Sequence, residues 1–394
     1  MTRDAGHATW LSGACCLGAA VALAAASAPG FLRMHAPDPI VPGPGVSAAR
    51  QLSDWLPAIA GTPVDTPVFV LEGGTPGATL VVLGGTHGDE AAGYLAAVVL
   101  VERAQVRAGR VLVVPRANAS GFTHDVGQEA HPQRVEIATA SGPRWFTYGA
   151  RATNPVHQWP DPQVYVHAAS GQALSGSETR NLNRAYPGRA DGTLTERLAL
   201  AITTLIAREG ATLAIDLHEA SPEYPVVNTM VAHQRAMDLA ALANVALQEQ
   251  GVAIGLEASP EGLHGLSHRE WGDATDALAV LVETTNPAQG RLRGATDAAL
   301  VTAGRDRFYA RAAARGRLST AMPEDGWPLD VRVARHLSTV AALAATWSLL
   351  GPERPIEIAE IPGYADIVAK GLGAFLNAPP AAGPDIPSRV GGAR

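Results

Sequence analysis

Thr79-Leu80-Val81-Val82-Leu83-Gly84-Gly85-Thr86-His87-Gly88-Asp89-Glu90 is the stretch on which the fold of this chain turns. The apolar run 79–83 stops at two glycines and reads as a short buried strand. The segment 90–105 that follows is apolar on nearly every side, as expected of a deeply buried helix. A strand that enters a helix through a tight glycine turn brings His87 and Glu90, three residues apart, to one point. An imidazole and a carboxylate in that arrangement form half of a Zn²⁺ site.

Outward from this turn, short apolar runs alternate with long helical segments, which argues for an α/β fold with a largely buried sheet. Further strands are expected at 110–115, 213–217 and 278–283, and helices at 194–208, 234–250 and 331–350. The run 213–217 leads into Asp216-Leu217-His218-Glu219, where the strand period of two puts Asp216 and His218 on one face. His218 completes a site of two histidines and one glutamate, and Asp216 is placed to orient a histidine ligand. Both histidines fall at carboxyl ends of strands, where open α/β sheets build their sites.

Composition removes the competing chemistries. The 394 residues are 47% hydrophobic and 17% charged, with net charge −7, so the chain can bury a core but offers no basic surface for nucleic acid. Lys370 is the sole lysine and is followed by Gly371, which rules out a Walker phosphate loop. The two cysteines, Cys15 and Cys16, sit together in the N-terminal apolar stretch. The body of the chain therefore has no thiol nucleophile, thiolate-bound metal or disulfide, and any metal there must be held by His, Asp and Glu. No Gly-x-Ser-x-Gly elbow is present.

Residues 8–32 carry no charge until the Arg33 that follows them, and read as an export signal or an uncleaved membrane anchor. We assign 1–32 to that segment, 46–350 to the folded domain and 351–394 to a Pro/Gly-rich C-terminal extension. The long segment 118–178 holds Phe122, Trp145, Phe146, Tyr148, Trp159 and Tyr165, which read equally as pocket walls and as a small satellite core. His264 and His268 lie four apart, but Gly265 between them argues against a second metal site.

Between the two histidine segments lies Asn181-Leu182-Asn183-Arg184-Ala185-Tyr186-Pro187-Gly188. In order, Gly85-Thr86-His87-Gly88-Asp89-Glu90, this segment and Asp216-Leu217-His218 resemble the succinylglutamate desuccinylase/aspartoacylase family, a branch of the zinc carboxypeptidase A-like hydrolases. Asn181 stands where the family has Asp, and Tyr186 where it has Phe. The resemblance covers about 79–286. It implies a three-layer α/β/α fold with a mixed, largely buried sheet, and one Zn²⁺ per chain held by His87, Glu90 and His218. It further implies a substrate carboxylate held by Asn183 and Arg184, and a catalytic glutamate for which Glu283, ending the run 278–282, is the candidate ahead of Glu219 and Glu270. The family's carbonyl-polarising arginine falls at Gly176 here, so Arg180, or Arg151 upstream, takes that role. The C-terminal β domain of the family is not evident after Asn286.

The resulting expectation is an exported, periplasmic or extracellular, zinc-dependent deacylase that cleaves the amide of an N-acyl amino acid or short peptide with a free carboxylate. A zinc carboxypeptidase acting on peptides, including cell-wall peptides, is the near alternative. A non-catalytic carboxylate-binding protein of the same fold is the more distant one. The expected partners are a small-molecule or short-peptide substrate, no nucleic acid, and a membrane only through an uncleaved N-terminus.

Overall fold

The structure, a computed structural model, describes residues 4–34, 38–126 and 131–378. It divides into two units, Met1–Asp38 and Pro39–Arg394. In the first, helix α1 (Asp4–Met34) contains a 20-residue stretch, Trp10–Pro29, of mean hydropathy 1.8 with none of it buried. It is long and apolar enough to cross a bilayer.

The second unit begins with strands β1 (Ala48–Gln51), β2 (Pro67–Glu72), β3 (Thr75–Leu83) and β4 (Gln105–Val114). Two hairpins follow, β5 (Arg134–Thr139) with β6 (Gly142–Thr147) and β7 (Val164–Val166) with β8 (Ala173–Ser175). Then come β9 (Leu213–Ala220), β10 (Thr229–Ala232), β11 (Gly255–Ala258), β12 (Leu278–Thr285) and β13 (Glu357–Ala359). Outside the hairpins, nine strands form one sheet in the order β1-β2-β4-β3-β9-β12-β10-β11, with β13 also paired to β4. The four central strands, β4, β3, β9 and β12, are mutually parallel, and antiparallel neighbours flank them, so the sheet is mixed.

Alternation along β3 sets the layers. Leu80 and Val82 face one core with α2 (Ala91–Arg103), α4 (Met237–Glu249) and α8 (Leu329–Leu350). Val81 and Leu83 face a second core with α3 (Leu194–Arg208) and Trp271 of α5 (Ser267–Ala274). The architecture is therefore α/β/α, as the sequence implies. Helix α2 is buried from Ala91 through Glu102, and Gly93 lets it lie directly on β9, since a Cβ there would come within 2.3 Å of the Leu217 carbonyl oxygen.

Two readings change. The described part of the C-terminal segment, 351–378, is not an extension outside the domain: β13 joins the sheet, and Ile356, Ile367, Leu372 and Leu376 enter the main core. Its apolar residues are spaced among prolines and glycines, which hid them from a periodicity reading; 379–394 lies outside the described residues. In 118–178, Phe122, Phe146 and Tyr148 also pack into the main core, and none of the six aromatics named above lines the cavity described below.

A buried ion pair ties the ends of this unit together. Arg144 Nη1 lies 2.8 Å from Glu102 Oε2, with both side chains at most 2% exposed. Arg144 also donates to the carbonyls of Pro39 and Asn377, and Glu102 accepts from the backbone N–H groups of Val41 and Asn377. Glu102→Ala would leave the guanidinium buried without its counter-charge, and we expect a loss of about 3–5 kcal/mol in chemical denaturation. Leu349→Ala, at a residue 82% exposed, should stay within about 0.5 kcal/mol of the parent.

Candidate metal centre

The turn after β3 carries His87 and Glu90 to the carboxyl edge of the sheet, and Gly85, at φ +67°, makes the turn possible. On the neighbouring strand β9, Asp216 and His218 share the face that looks toward them. His87 Nδ1 lies 2.7 Å from Glu90 Oε1, and His218 Nδ1 lies 2.9 Å from Glu90 Oε2. The three residues are each 1% exposed, and one ligand atom from each falls within 4.8 Å of the others.

The far nitrogens of both rings are engaged. His218 Nε2 lies 2.8 Å from Asp216 Oδ2, and Thr86 Oγ1 donates to the other Asp216 oxygen. His87 Nε2 lies 3.0 Å from Asn181 Oδ1. That amide cannot be reversed, because its Oδ1 also accepts the Asn183 N–H while its Nδ2 donates to Glu178. His87 therefore carries its proton on Nε2 and turns an Nδ1 lone pair toward a carboxylate. Burial, reinforced by the Arg151 guanidinium, pushes its pKa down to about 4, so the ring is neutral near pH 7. Burial opposes charge on His218 too, but the Asp216 and Glu90 carboxylates outweigh it and hold its pKa well above the ordinary value. For Glu90 burial is likewise outweighed, by the protonated His218 ring 2.9 Å away, and its carboxyl sits well below the carboxylate range. Two imidazole nitrogens and a carboxylate oxygen converging in a buried site are a donor set that fits Zn²⁺.

The centre opens into a cavity of about 510 Å³. Asn183, Arg184, Arg151 and Glu283 all line it, as do Gln289 and Arg293, which the sequence did not mark. Glu283 is paired in register with His218 across the parallel β12–β9 ladder, so the two side chains emerge side by side. Its Oε2 is buried without a hydrogen-bond partner, and burial pushes its carboxyl up to about 8.

The competing acids are occupied elsewhere. Glu219 is fully paired: Arg332 Nη1 lies 2.6 Å from its Oε1, and the Ala92 N–H donates to its Oε2. Glu270 Oε1 accepts the Gly265 N–H and contacts His264 Nδ1. His268 lines the same cavity as Glu283, with its Nδ1 2.8 Å from Ser259 Oγ, while His264 pairs with Glu270, so the two do not form a second centre.

Arg180 requires correction. Its Nε and Nη2 bind the two carboxylate oxygens of Asp161 at 2.7 and 2.9 Å, its Nη1 donates to the Thr153 carbonyl, and it does not line the cavity. Arg151 occupies the site instead, with Nη1 3.3 Å from both His87 Nδ1 and Glu90 Oε1. Proximity in sequence to Asn183 points to Arg180, whereas only the path of the long 118–178 segment brings Arg151 beside Glu90.

Residues 166–288 match the family model of the succinylglutamate desuccinylase/aspartoacylase catalytic domain. The matched segment includes Asn183, Arg184, His218 and Glu283, while His87 and Glu90 precede it. A search of curated proteins finds no match. Among solved structures, the chain is similar to a succinylglutamate desuccinylase from Silicibacter sp. TM1040 (21% identity, TM-score 0.36, 56% of this chain and 53% of that one). It is also similar to a succinylglutamate desuccinylase/aspartoacylase from Rhodobacter sphaeroides (21%, 0.35, 56% and 51%). A metallo-carboxypeptidase from Burkholderia cenocepacia matches over 78% of this chain and 66% of its own length, at 12% identity and TM-score 0.45. The chain spans about half the length of the first of these structures.

If His87 and His218 hold the metal, alanine at either position abolishes retention of zinc, measured as zinc per chain after dialysis, whereas His264→Ala retains it. Asn181→Ala removes the acceptor that fixes His87, and should weaken zinc affinity by about 10- to 100-fold in a chelator competition.

Proposed function

We propose that this chain is a zinc-dependent hydrolase that cleaves the amide bond of an N-acyl amino acid or short peptide bearing a free carboxylate. The observation that carries the reading is the unpartnered, buried Oε2 of Glu283 beside His218, in the same cavity as Arg184. A buried carboxyl oxygen without a partner is costly to keep, and one next to a donor set for zinc is suited to proton transfer. Zinc, when bound by His87, Glu90 and His218, supplies a Lewis acid that brings the pKa of water to about 7.

The protein's own side chains account for the remaining roles. Arg184, half-buried, and Asn183, held by the Ser267 N–H at its Oδ1, receive the substrate carboxylate. Glu283 takes the proton from the attacking water and delivers it to the departing nitrogen. Arg151 lines the cavity beside His87, with 41% of its side chain exposed, and faces the carbonyl oxygen as negative charge develops there. A carboxypeptidase reading uses the same groups. It is favoured where, among the described residues after Asn286, helices and the three-residue β13 are found and no β domain narrows the entrance.

Helix α1 supports export, as a signal or as an anchor. Fractionation of expressing cells should recover the protein outside the cytoplasm or in the membrane pellet; full-length protein in the soluble cytoplasm would overturn this part.

Glu283→Gln should retain zinc while kcat falls by about 10²-fold or more, as for loss of a general base. Arg184→Ala should act mainly on KM for substrates with a free carboxylate and little on their amidated analogues. Stoichiometric zinc without hydrolysis of any acyl-amino acid, dipeptide or ester would instead identify a carboxylate-binding protein.

A further inference from the structure

The cavity is divided chemically, and the division bears on the substrate's side chain. Its cations, Arg151, Arg184 and Arg293, come from the 118–178 segment, from the turn after β8 and from the chain after β12. The half built from β10, β12 and the loop after β11 contains none. In the register of the sheet, Leu281 lies two residues before Glu283 and so on the same face, and Val231 of β10 is its neighbour across the antiparallel ladder. These two residues, 2% and 5% exposed, form an apolar floor beside Glu283.

The wall of this half is fixed to the carboxylate-binding pair. Pro260, Leu263 and Leu266 line the cavity from the loop after β11. Gly265, at φ +85°, allows the loop to press against the Arg184 carbonyl, which a Cβ would approach to 2.3 Å. The Tyr186 N–H donates to the Gly265 carbonyl, and the Ser267 N–H donates to Asn183 Oδ1. Apart from the His268 imidazole, whose Nδ1 is taken up by Ser259 Oγ, the lining between Arg184 and Glu283 on this side is apolar. Beyond Val231 the next strand presents Glu257, an exposed carboxylate that repels a second negative charge.

The geometry points to a substrate whose side chain next to the Arg184-bound carboxylate is apolar, aliphatic or aromatic, with acidic side chains excluded. This inference rests on the hydrolase reading for the placement of the carboxylate at Arg184. A carboxylate seated on Leu281, Val231 and Leu266 would lose its water without gaining a partner, whereas an alkyl or aryl group gains the burial of apolar surface on both sides.

The test uses zinc-loaded Glu283→Gln protein and isothermal titration with N-acetyl-leucine, N-acetyl-phenylalanine and N-acetyl-aspartate. The wild type is assayed for hydrolysis of the same three. We expect the leucine or phenylalanine compound to bind at least about 10²-fold more tightly than the aspartate compound, given the cost of burying an unpaired charge. Leu263→Arg, a change in a loop residue 37% exposed, should cut that ratio by about tenfold or more, the scale of one charge-assisted contact. Equal or tighter binding of N-acetyl-aspartate, binding of none of the three, or a ratio unmoved by Leu263→Arg overturns the inference. Selective, Arg184-dependent binding without turnover would leave it standing and remove the hydrolase reading. Turnover with aspartate preferred would do the reverse.

Discussion

The carboxylate of Glu90 joins the two halves of this site, and the rest of the cavity is organised around it. Each oxygen faces one histidine, and Oε2 also accepts the backbone N–H of Glu219, so the turn after β3 is fastened to β9 at the point where both end. That closeness requires α2 to lie on β9 with no side chain between them, which Gly93 provides. A bulkier residue there would lift the helix start away from the strand and separate Glu90 from His218 without touching either.

The fastening is supported from behind by a group far away in sequence. Glu219 accepts the Ala92 N–H at the start of α2 and is neutralised by Arg332 of α8, and Thr284 Oγ1 lies between Glu219 and His336 on the next turn of the same helix. Arg332 also donates to the Val301 carbonyl. Desolvating Glu219 without Arg332 would favour its protonated form, and a neutral carboxyl would compete for the proton chemistry assigned to Glu283. The buried pair thus ties up Glu219 and leaves Glu283, at the end of the adjacent strand, with the unpartnered oxygen on which the proposed proton transfer rests, although neither spacing nor flanking residues distinguish the two glutamates.

The central strands and helices were legible because each is a contiguous apolar or amphipathic run, and His87, Glu90 and His218 were legible because they sit at the ends of such runs. Register was the missing quantity elsewhere. Glu283 belongs beside His218 only because β12 is parallel to β9 and aligned with it residue for residue. Arg151 lies in a segment without periodicity, and its approach to Glu90 depends on tertiary path alone. Arg180 resembled a site residue by position but meets Asp161, 19 residues away, in a bidentate pair that local pattern does not announce. The apolar residues of 351–378 carry no pattern for a related reason: a core can be completed by isolated side chains, here Ile356, Ile367, Leu372 and Leu376, whose spacing follows neither the helix nor the strand period.

The asparagine at position 181 fits the electrostatics of the whole centre. His218 has a carboxylate behind it, Asp216, whereas His87 has the neutral amide of Asn181. An aspartate at 181 would set a second carboxylate against Glu178, to which the Asn181 amide now donates, and buried like charges raise one another's pKa. The amide keeps the acceptor that orients the His87 ring and omits the charge, so the ligand geometry and the charge balance are satisfied by the same substitution.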